Sequence, residues 1–223
     1  MSKENIWRLL KNKGFSDVAA AAIMGNMEAE SNCISNRLQS DFTGGYTRSA
    51  EYTAQVDKGL ISRDDFIYHG PGGGGYGLLQ WTFWSRKAGL YDLAEEHGTS
   101  IADEATQVDW LLRELWQEEF KKVINVLNTS DSIRECSDAL VKSFLRPADQ
   151  SESVLAYRAG LGREFYEEYA ELETDDTDGY EEEEFEEGEI IEVDAETYKV
   201  LEKCAMIMLE LKDAFKMLEE LPV

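Results

Sequence analysis

Apolar residues recur at helical spacing along most of this chain of 223 residues. The first segment, residues 3–13, predicts a short amphipathic helix that buries Ile6, Leu9 and Leu10 and ends at Gly14. Five further helices are predicted, over residues 17–31, 83–96, 103–120, 131–145 and 151–171. We therefore expect a mainly α-helical body.

Capping residues indicate where several of these helices begin and end. Ser16 precedes an alanine-rich segment and has the side chain of an N-cap, and Thr82 is expected to cap a later helix in the same way. Either Ser130 or Asp131 is expected to cap the helix that stops before Pro147, because proline disfavours helical geometry in the residue that precedes it.

One stretch, residues 36–68, lacks a clear helical period. It contains a pair of glycines at 44–45 and a single glycine at 59, which are signals of turns. We expect turns, a short hairpin or a short helix in this stretch, with loops that face a substrate. The predicted fold class is α+β, mainly α, with one small irregular or hairpin region.

The C-terminal quarter of the chain differs from the rest in charge. Residues 171–192 contain 13 acidic residues and no basic one, so a solvated linker at 173–192 is predicted after a body of residues 1–172. Residues 193–223 predict an amphipathic helix, whose apolar residues have a/d heptad spacing: Leu201, Cys204, Met208, Leu211, Phe215 and Leu218. Such a helix needs a partner in water, either a second copy or the body of the protein.

Composition argues against several classes of function. The formal net charge of −24 would repel a polyanion, so nucleic acid is not expected as a partner. The three cysteines are far apart and only two histidines are present, which argues against a metal site, a disulfide framework or an imidazole-dependent triad. The sequence shows no N-terminal signal peptide and no apolar run long enough to span a membrane.

Two carboxylates, Glu28 and Glu30, lie near the end of the second predicted helix. At about 100° per residue, Glu30 falls beside Ile23 and Met27, whereas Glu28 points to another side of the helix. If Ile23 and Met27 face the core, Glu30 is partly desolvated, which favours the protonated form that a general acid requires. The alternative is that both glutamates are ordinary charges on the helix surface.

The stretch GPGGGGYGLLQW at residues 70–81 combines glycines with bulky aromatics and one amide. Glycine is used where a turn or a close approach to the main chain is needed. The aromatics and the amide are therefore interpreted as a docking surface for a ligand. The alternative is that the large apolar residues belong to the core and the glycines form a flexible insert.

Three motifs occur in order: EAES at the end of the second helix, GYGLLQWT about fifty residues later, and WSRK on the next helix. Together they resemble the phage tail lysozyme family of the lysozyme-like superfamily, related to goose-type lysozymes and lytic transglycosylases. The resemblance covers about residues 4–170. It implies that Glu30 is the catalytic acid, that Ser31 lies against the substrate, and that the GYGLLQWT segment lines a sugar cleft.

Within this resemblance, the residues of the GYGLLQWT segment acquire expected roles. Tyr76 and Trp81 would stack on sugar faces, as aromatic rings in ligand sites do. Gln80 can both donate and accept hydrogen bonds, and the main chain at Gly77 would approach the polysaccharide closely. The main-chain groups would then hydrogen-bond the acetamido substituents of the sugar chain.

An inverting glycosidase also needs a second carboxylate to activate water. The candidates are Asp41, Asp57, Asp64 and Asp65, of which Asp57 and Asp65 are favoured. If none of them reaches the cleft, two outcomes are expected. One is a transglycosylase-like reaction in which Glu30 acts first as acid and then as base, and the other is a weakened enzyme.

The resemblance implies a peptidoglycan hydrolase that cleaves the β-1,4 bond between N-acetylmuramic acid and N-acetylglucosamine, with no metal or organic cofactor. The alternatives are a non-catalytic tail protein that binds peptidoglycan and a chitinase-like enzyme. A bacteriophage or prophage origin is implied, with the protein in the virion tail, or in the host cytoplasm before its release to the wall. Residues 193–223 would bind a second copy or another tail protein.

Overall fold

The computed structural model describes residues 3–39, 41, 47–68 and 74–170. Nine α-helices form within these residues: α1 (Lys3–Asn12), α2 (Asp17–Ser31), α3 (Thr47–Asp57), α4 (Arg63–Tyr68), α5 (Trp84–His97), α6 (Glu104–Leu115), α7 (Lys121–Thr129), α8 (Ile133–Ala139) and α9 (Glu152–Tyr169). A 3₁₀-helix at Glu118–Phe120 precedes α7, and a π-helix at Leu140–Leu145 continues α8. The prediction of a mainly helical fold is confirmed.

Helix α2 is the central helix of the body. Every residue from Ala19 to Met27 is buried, and the small side chains of this segment allow close packing of its neighbours. The closest approach is to α9, where a Cβ built on Gly25 would lie 2.5 Å from the backbone nitrogen of Gly162. Farther along α2, Glu30 contacts Arg158 of α9. The two helices are therefore antiparallel, and Glu30 is carried on the most buried element of the body.

Helix α1 buries one face against this centre. Ile6 and Leu10 are fully buried, as predicted. Leu9, which is predicted to be buried, is only partly buried, and Trp7 is buried in the core instead. The ring of Trp7 packs against that of Tyr169 in α9, with 5.6 Å between the ring centroids. Both ends of the described chain thus pack together beside α2.

Two helix ends show common capping chemistry, and one of them is predicted. The Ser16 hydroxyl accepts a hydrogen bond from the backbone nitrogen of Ala19 at 3.2 Å, which confirms Ser16 as the N-cap of α2. Helix α5 ends at Gly98, whose φ of 64° is the left-handed conformation that glycine adopts readily. Both caps can be recognised from the sequence, because each involves only residues within one turn of the helix end.

The predicted caps at Thr82 and at Ser130 or Asp131 are wrong. Helix α5 begins one residue later than a Thr82 cap would require, and the Thr82 hydroxyl instead donates to the carbonyl oxygen of Gln80 at 2.9 Å. Helix α8 is capped by Ser132. Several neighbouring hydroxyl and carboxyl side chains can cap a helix equally well, so sequence alone does not choose among them.

The stretch predicted to be irregular contains two helices, α3 and α4. No β-strand forms among the residues that the structure describes, and the expected hairpin is represented there only by two isolated antiparallel bridges, Leu38 with Tyr76 and Tyr76 with Trp81. Helix α7 lies between the predicted helices at 103–120 and 131–145, where no element is predicted. The predicted helix over residues 103–120 consists of α6 followed by the 3₁₀-helix.

The predicted linker at 173–192 and the heptad segment at 193–223 lie outside the described residues. The domain boundary at residue 172 therefore stays a prediction. Among the helices that the structure does describe, none combines the length and the apolar character needed to cross a lipid bilayer.

Candidate active site

Glu30 lies in the last turn of α2, just before the left-handed residue Asn32, whose φ is 58°. Ile23 and Met27 do face the core, but α2 is buried on all sides from Ala19 to Met27, so its two faces do not differ in burial there. Glu28 and Glu30 are consequently similar in exposure, with 21% and 20% of each side chain accessible. They differ in their partners: Glu28 pairs with Lys3 at 2.9 Å and Glu30 with Arg158 at 2.8 Å.

Arg158 connects Glu30 to two other helices. Its Nη1 atom lies 2.8 Å from Oε1 of Glu30 and donates to Oδ1 of Asn26 at 3.2 Å. Asn26 in turn donates through Nδ2 to the Ser137 hydroxyl of α8 and to the carbonyl oxygen of Ala22. This network fixes one oxygen of Glu30. The other oxygen, Oε2, has no hydrogen-bond partner among the described residues.

A tight turn at residues 77–80 follows the glycine-rich stretch. The backbone groups of Tyr76 and Trp81 exchange two hydrogen bonds of 3.2 and 3.0 Å, and the Gln80 nitrogen donates to the carbonyl oxygen of Gly77. Gly77 and Gln80 have φ values of 81° and 51°. Glutamine is uncommon in this left-handed region, and such residues occur preferentially at functional sites.

The described glycines of this stretch are needed for contacts within the protein. A Cβ on Gly75 would lie 2.6 Å from the carbonyl oxygen of Gln80, and one on Gly77 would lie 2.7 Å from Oε1 of Gln107. The Gly77 nitrogen already donates to the carbonyl oxygen of Arg37 at 2.9 Å. The predicted approach of the Gly77 main chain to a polysaccharide is therefore wrong, because the protein itself occupies that space.

Ser31 joins the end of α2 to the same turn. Its side chain is 2% exposed, and its hydroxyl lies 2.8 Å from the carbonyl oxygen of Leu78 and 3.0 Å from that of Met27. The hydroxyl donates to one of these carbonyls at a time. It is not accessible to a substrate, contrary to the prediction, and it instead holds the turn against the helix that carries Glu30.

Tyr76 and Trp81 are core residues. They are 0% and 1% exposed, so neither ring offers a face to a sugar, and the predicted stacking role is wrong for both. The Tyr76 hydroxyl is 2.6 Å from the hydroxyl of Thr53, and burial raises the pKa of Tyr76. Trp81 donates through Nε1 to Oε2 of Glu114 at 2.7 Å.

Glu114 also binds Arg86, the arginine of the WSRK motif. The guanidinium donates to both carboxylate oxygens at 2.6 and 2.8 Å, and the Glu114 side chain is 2% exposed. Arg86 lies over the ring of Phe144, 4.4 Å from its centroid. A buried charge pair of this kind positions Arg86 at the edge of a pocket while its charge is neutralised.

The pocket beside Glu30 has a volume of about 430 Å³. It is lined by Glu30, Gln39, Leu79, Gln80, Thr82, Phe83, Arg86, Leu145, Arg146 and Pro147. Of the predicted site residues only Glu30 and Gln80 line it. Two lining residues, Gln80 and Arg146, are left-handed without being glycine, and Arg146 ends a π-helix, a feature that is frequent at functional sites.

A second pocket, of about 540 Å³, shares one wall with the first. The shared residues are Phe83, Arg86, Leu145 and Arg146. The remainder of its lining comes mainly from α6, the 3₁₀-helix and the π-helix, and includes the aromatic residues Trp110, Phe120 and Phe144. The two pockets together form a longer concave surface that begins at Glu30.

The two favoured candidates for a second carboxylate are engaged elsewhere. Asp57 accepts hydrogen bonds from the Ser100 hydroxyl at 2.6 Å and from the Ile101 nitrogen at 3.1 Å. Asp65 accepts one from the Ser62 hydroxyl at 2.6 Å, at the start of α4. Neither aspartate lines the pocket of Glu30.

The other two candidates do not line the pocket either. Asp41 is fully buried and accepts hydrogen bonds from the nitrogen and the hydroxyl of Ser49, and Asp64 is exposed. Glu30 is thus the only carboxylate among the described residues of this pocket, and residues 40, 42–46 and 69–73 contain no Asp or Glu. Throughout the described ranges, no group of His, Cys, Asp and Glu is arranged to hold a metal ion.

Three exposed aromatic residues whose rings contact one another, one of them at the pocket, are not predicted from the sequence. Tyr68, Phe83 and Trp84 are 56%, 61% and 51% exposed, and we call them the aromatic strip. The rings of Tyr68 and Trp84 are stacked with centroids 6.3 Å apart, and those of Phe83 and Trp84 are 5.9 Å apart. Phe83 lines both pockets. The sequence signal is the Phe-Trp pair that opens α5, directly after the GYGLLQWT segment.

Lys87 of the WSRK motif is buried away from this surface. Its side chain is 3% exposed, and Nζ lies 4.6 Å from the centroid of the Phe66 ring. Burial lowers the pKa of Lys87 to about 8, because no carboxylate compensates the loss of water. Tyr52 packs near the same Phe66 ring and is also buried, which raises its pKa to about 12. Neither residue lines the pocket of Glu30.

A helical body with a glutamate at the end of its central helix, beside a concave surface bordered by aromatic residues, defines a lysozyme-like domain. Comparison with known families gives the same class: the family model described as Phage tail lysozyme matches residues 2–169. The chain belongs to the phage tail lysozyme family. This confirms the resemblance and indicates a lysozyme-like protein that is associated with phage tails. No curated protein matches the chain.

Proposed function

We propose that this protein cleaves the glycan of bacterial peptidoglycan, at the β-1,4 bond between N-acetylmuramic acid and N-acetylglucosamine, with Glu30 as the general acid. The observation that carries this proposal is the position of Glu30 in the pocket of a domain that belongs to the phage tail lysozyme family. The pocket volume of about 430 Å³ is in the usual range for a site that holds a small ligand or part of a chain.

The contacts of Glu30 hold its side chain in one position. Nη1 of Arg158, which also donates to Asn26, holds Oε1 of Glu30, and this leaves Oε2 to transfer a proton to the glycosidic oxygen. As that oxygen takes the proton, its bond to the anomeric carbon breaks and an oxocarbenium-like sugar forms. Glu30 is then a carboxylate, and it can accept a proton from the group that attacks the sugar.

Glu30 is the single carboxylate among the described residues that line the pocket, which supports it as both acid and base. The attacking group is either water, which gives hydrolysis, or the C6 hydroxyl of the same sugar, which gives an anhydro-muramic product. An inverting hydrolase would need a second carboxylate to hold the water, and Asp57 and Asp65 do not line this pocket. This observation favours the transglycosylase-type outcome as the second candidate.

The aromatic strip extends the proposed binding surface away from Glu30. Phe83 lies at the pocket, and Trp84 and Tyr68 continue the exposed aromatic area. Flat aromatic faces can pack against the apolar faces of sugar rings and so bind a glycan over several units. These three residues take the binding role that the sequence predicts for Tyr76 and Trp81.

The experiment that tests this function is digestion of purified peptidoglycan by the wild-type protein, by Glu30→Gln and by Glu28→Gln, with mass spectrometry of the soluble products. Glu28→Gln is the matched control, because it changes a glutamate of similar exposure on the same helix. We expect release by the wild type and Glu28→Gln and none by Glu30→Gln. Products that borohydride reduces would indicate hydrolysis, and anhydro-muramic products the transglycosylase outcome.

Absence of release by the wild type, with retained binding to the walls, would instead favour a non-catalytic peptidoglycan-binding protein. Cleavage of neutral chitin oligomers in preference to peptidoglycan would favour a chitinase-like enzyme. Both outcomes would contradict the proposed function; the first is read from a wall-binding measurement and the second from digestion of chitin oligomers.

We further propose that residues 193–223 serve assembly, through a second copy of the chain or another tail protein. The support is the heptad spacing of the apolar residues after a highly acidic segment. A truncation that ends at Leu172 is expected to stay folded and active but to lose any oligomer that light scattering detects for the full chain. Persistence of the oligomer in the truncated protein would contradict this role.

A further inference from the structure

Arg146 occupies an unusual position at the junction of the two pockets. It ends the π-helix with φ and ψ of 52° and 51°, directly before Pro147. A non-glycine residue in this conformation costs about 1 kcal/mol or more, and such residues occur where the surrounding structure holds a side chain in place for a function. Arg146 is exposed and lines both pockets.

The guanidinium of Arg146 is held at one end only. Nε donates to the carbonyl oxygen of Ser143 at 2.9 Å, and the group lies 5.9 Å from the centroid of the Phe120 ring. No carboxylate of the described residues lies within ion-pair distance of it. The two terminal nitrogens therefore remain available as a fork of donors.

The other charged groups of the Glu30 pocket are neutralised. Glu30 pairs with Arg158, and Arg86 pairs with Glu114. Within the described lining of this pocket, Arg146 is thus the single charge without an opposite partner, in a chain whose net charge is −24. Glu119 lines the neighbouring pocket but forms no ion pair with Arg146.

We propose that Arg146 binds a carboxylate of the substrate and makes the site selective for glycans that carry free carboxylates over neutral polysaccharides. Guanidinium binds carboxylate through two parallel hydrogen bonds, which gives both affinity and orientation. This inference rests on the proposed function and names the substrate class of the same pocket. In peptidoglycan the carboxylate has two sources, the peptide attached to the muramic acid or the lactyl group that is exposed when the peptide is removed.

Direct binding measurements by calorimetry test the inference and separate the two sources. The protein is the full chain with Glu30→Gln, which is not expected to cleave the ligands. The ligands are soluble glycan fragments with peptides, the same fragments after amidase treatment, and N-acetylglucosamine oligomers of equal length. Adding Arg146→Gln should weaken binding of at least one carboxylate-bearing fragment about tenfold and leave binding of the neutral oligomer unchanged.

Two comparison variants make the result specific. Arg163→Gln removes an exposed arginine of α9 that lines neither pocket, so it should leave all three affinities unchanged. Arg146→Lys keeps the charge but not the two parallel hydrogen bonds of a guanidinium. Its affinity for the carboxylate-bearing fragments should therefore lie between that of the protein with Arg146 and that of Arg146→Gln. A loss confined to the peptide-bearing fragment identifies the peptide carboxylates as the ligand, and a loss on the amidase-treated fragment identifies the lactyl group.

Equal affinities of the Arg146→Gln and Arg163→Gln proteins for both carboxylate-bearing fragments would overturn the inference. An equal loss of affinity for the neutral oligomer would also overturn it, because Arg146 would then only shape the pocket. Absence of binding to all three ligands would overturn it as well. These outcomes are distinct from failure of the proposed function, which is absence of glycan cleavage by the protein that retains Glu30.

Discussion

Arg158 of α9 and Glu30 of α2 form an ion pair of 2.8 Å, and the same guanidinium nitrogen donates to Asn26 one turn earlier on α2. Arg158 is 9% exposed, so both contacts are largely shielded from water. The carboxylate proposed as the acid is therefore held by a helix that is distant in sequence. Its orientation depends on the packing of α2 against α9 as well as on its own helix.

Replacement of Arg158 tests this dependence. Arg158→Met leaves Glu30 and Asn26 without their shared partner, and we expect a loss of about 3 kcal/mol in the free energy of unfolding, because a partly buried charge loses its counter-ion. Arg158→Lys should lose less. Urea unfolding measures the change, with Arg163→Met on the same helix as an exposed control. Equal stability of the two Met variants would show that the ion pair does not stabilise the fold.

The aromatic strip gives a prediction about substrate binding alone. Phe83→Ala and Trp84→Ala should each weaken binding to insoluble peptidoglycan by about three- to tenfold, because each removes a face that packs on a sugar. Their thermal unfolding should stay close to that of the wild type, since both side chains are more than half exposed. Trp116→Ala is the control, because Trp116 is 62% exposed and lines neither pocket. The same loss in Trp116→Ala would refute a specific role of the strip.

Two glycine substitutions should have opposite effects on stability. In Gly25→Ala the new Cβ would lie 2.5 Å from the Gly162 nitrogen and 2.6 Å from the Arg158 carbonyl oxygen, so α9 must move, at a cost of about 3 kcal/mol or more. In Gly160→Ala the nearest atom is 3.9 Å away, and the gain in helix propensity should stabilise the fold by about 0.5–1 kcal/mol. Denaturation of both variants in urea provides the comparison, and a tolerated Gly25→Ala would contradict the close helix contact.

Lys87 predicts a pH dependence of stability. Its pKa is about 8 in the folded protein, against 10.5 for a lysine in water, so below pH 8 the lysine is charged in both the folded and the unfolded state and the burial cost is complete. Between pH 8 and 10.5 only the unfolded state holds the proton, and the cost fades as pH rises. Lys87→Met should therefore be more stable than the wild type at pH 7, and this advantage should shrink by up to about 3 kcal/mol by about pH 10.5.

The difference between the two proteins is the quantity to measure, by urea unfolding at several pH values. Burial also raises the pKa of Tyr52 and of the thiol of Cys33, and both effects lower stability at alkaline pH. These contributions are common to the wild type and the variant and cancel in the difference. A difference that does not change with pH would mean that Lys87 is not buried as a charged group at pH 7.

The helices that the sequence predicts well have local signals. The alanine content of α2 and its cap at Ser16 involve neighbouring residues, and both are predicted correctly. Helix α3 has few large apolar residues, so the packing of Tyr52 and Val56 in the core defines it more than the pattern of its own residues. Helices of this kind form because a partner surface is present, which a single sequence does not show.

The site is predictable to a smaller extent. Glu30 is proposed as the acid from the Glu-Ser pair and its order relative to the GYGLLQWT segment, whereas its partner Arg158 comes from a distant helix. Tyr76 and Trp81 have the composition of a docking surface, yet their polar atoms are bonded to Thr53 and Glu114, which are far away along the chain. Aromatic residues with buried polar partners cannot be distinguished from exposed ones until these pairings are known.

The position of the proposed acid depends on the close contact between Gly25 and α9. Glu30 is five residues farther along α2, about 7.5 Å along the helix axis, so a swing of α2 by about 10° at the crossing would move the Glu30 backbone by about 1.3 Å. General acid catalysis requires heavy-atom distances of hydrogen-bond length, and a displacement of this size exceeds their tolerance. The glycines at the crossing of α2 and α9 thus help to determine where the Glu30 carboxyl group lies.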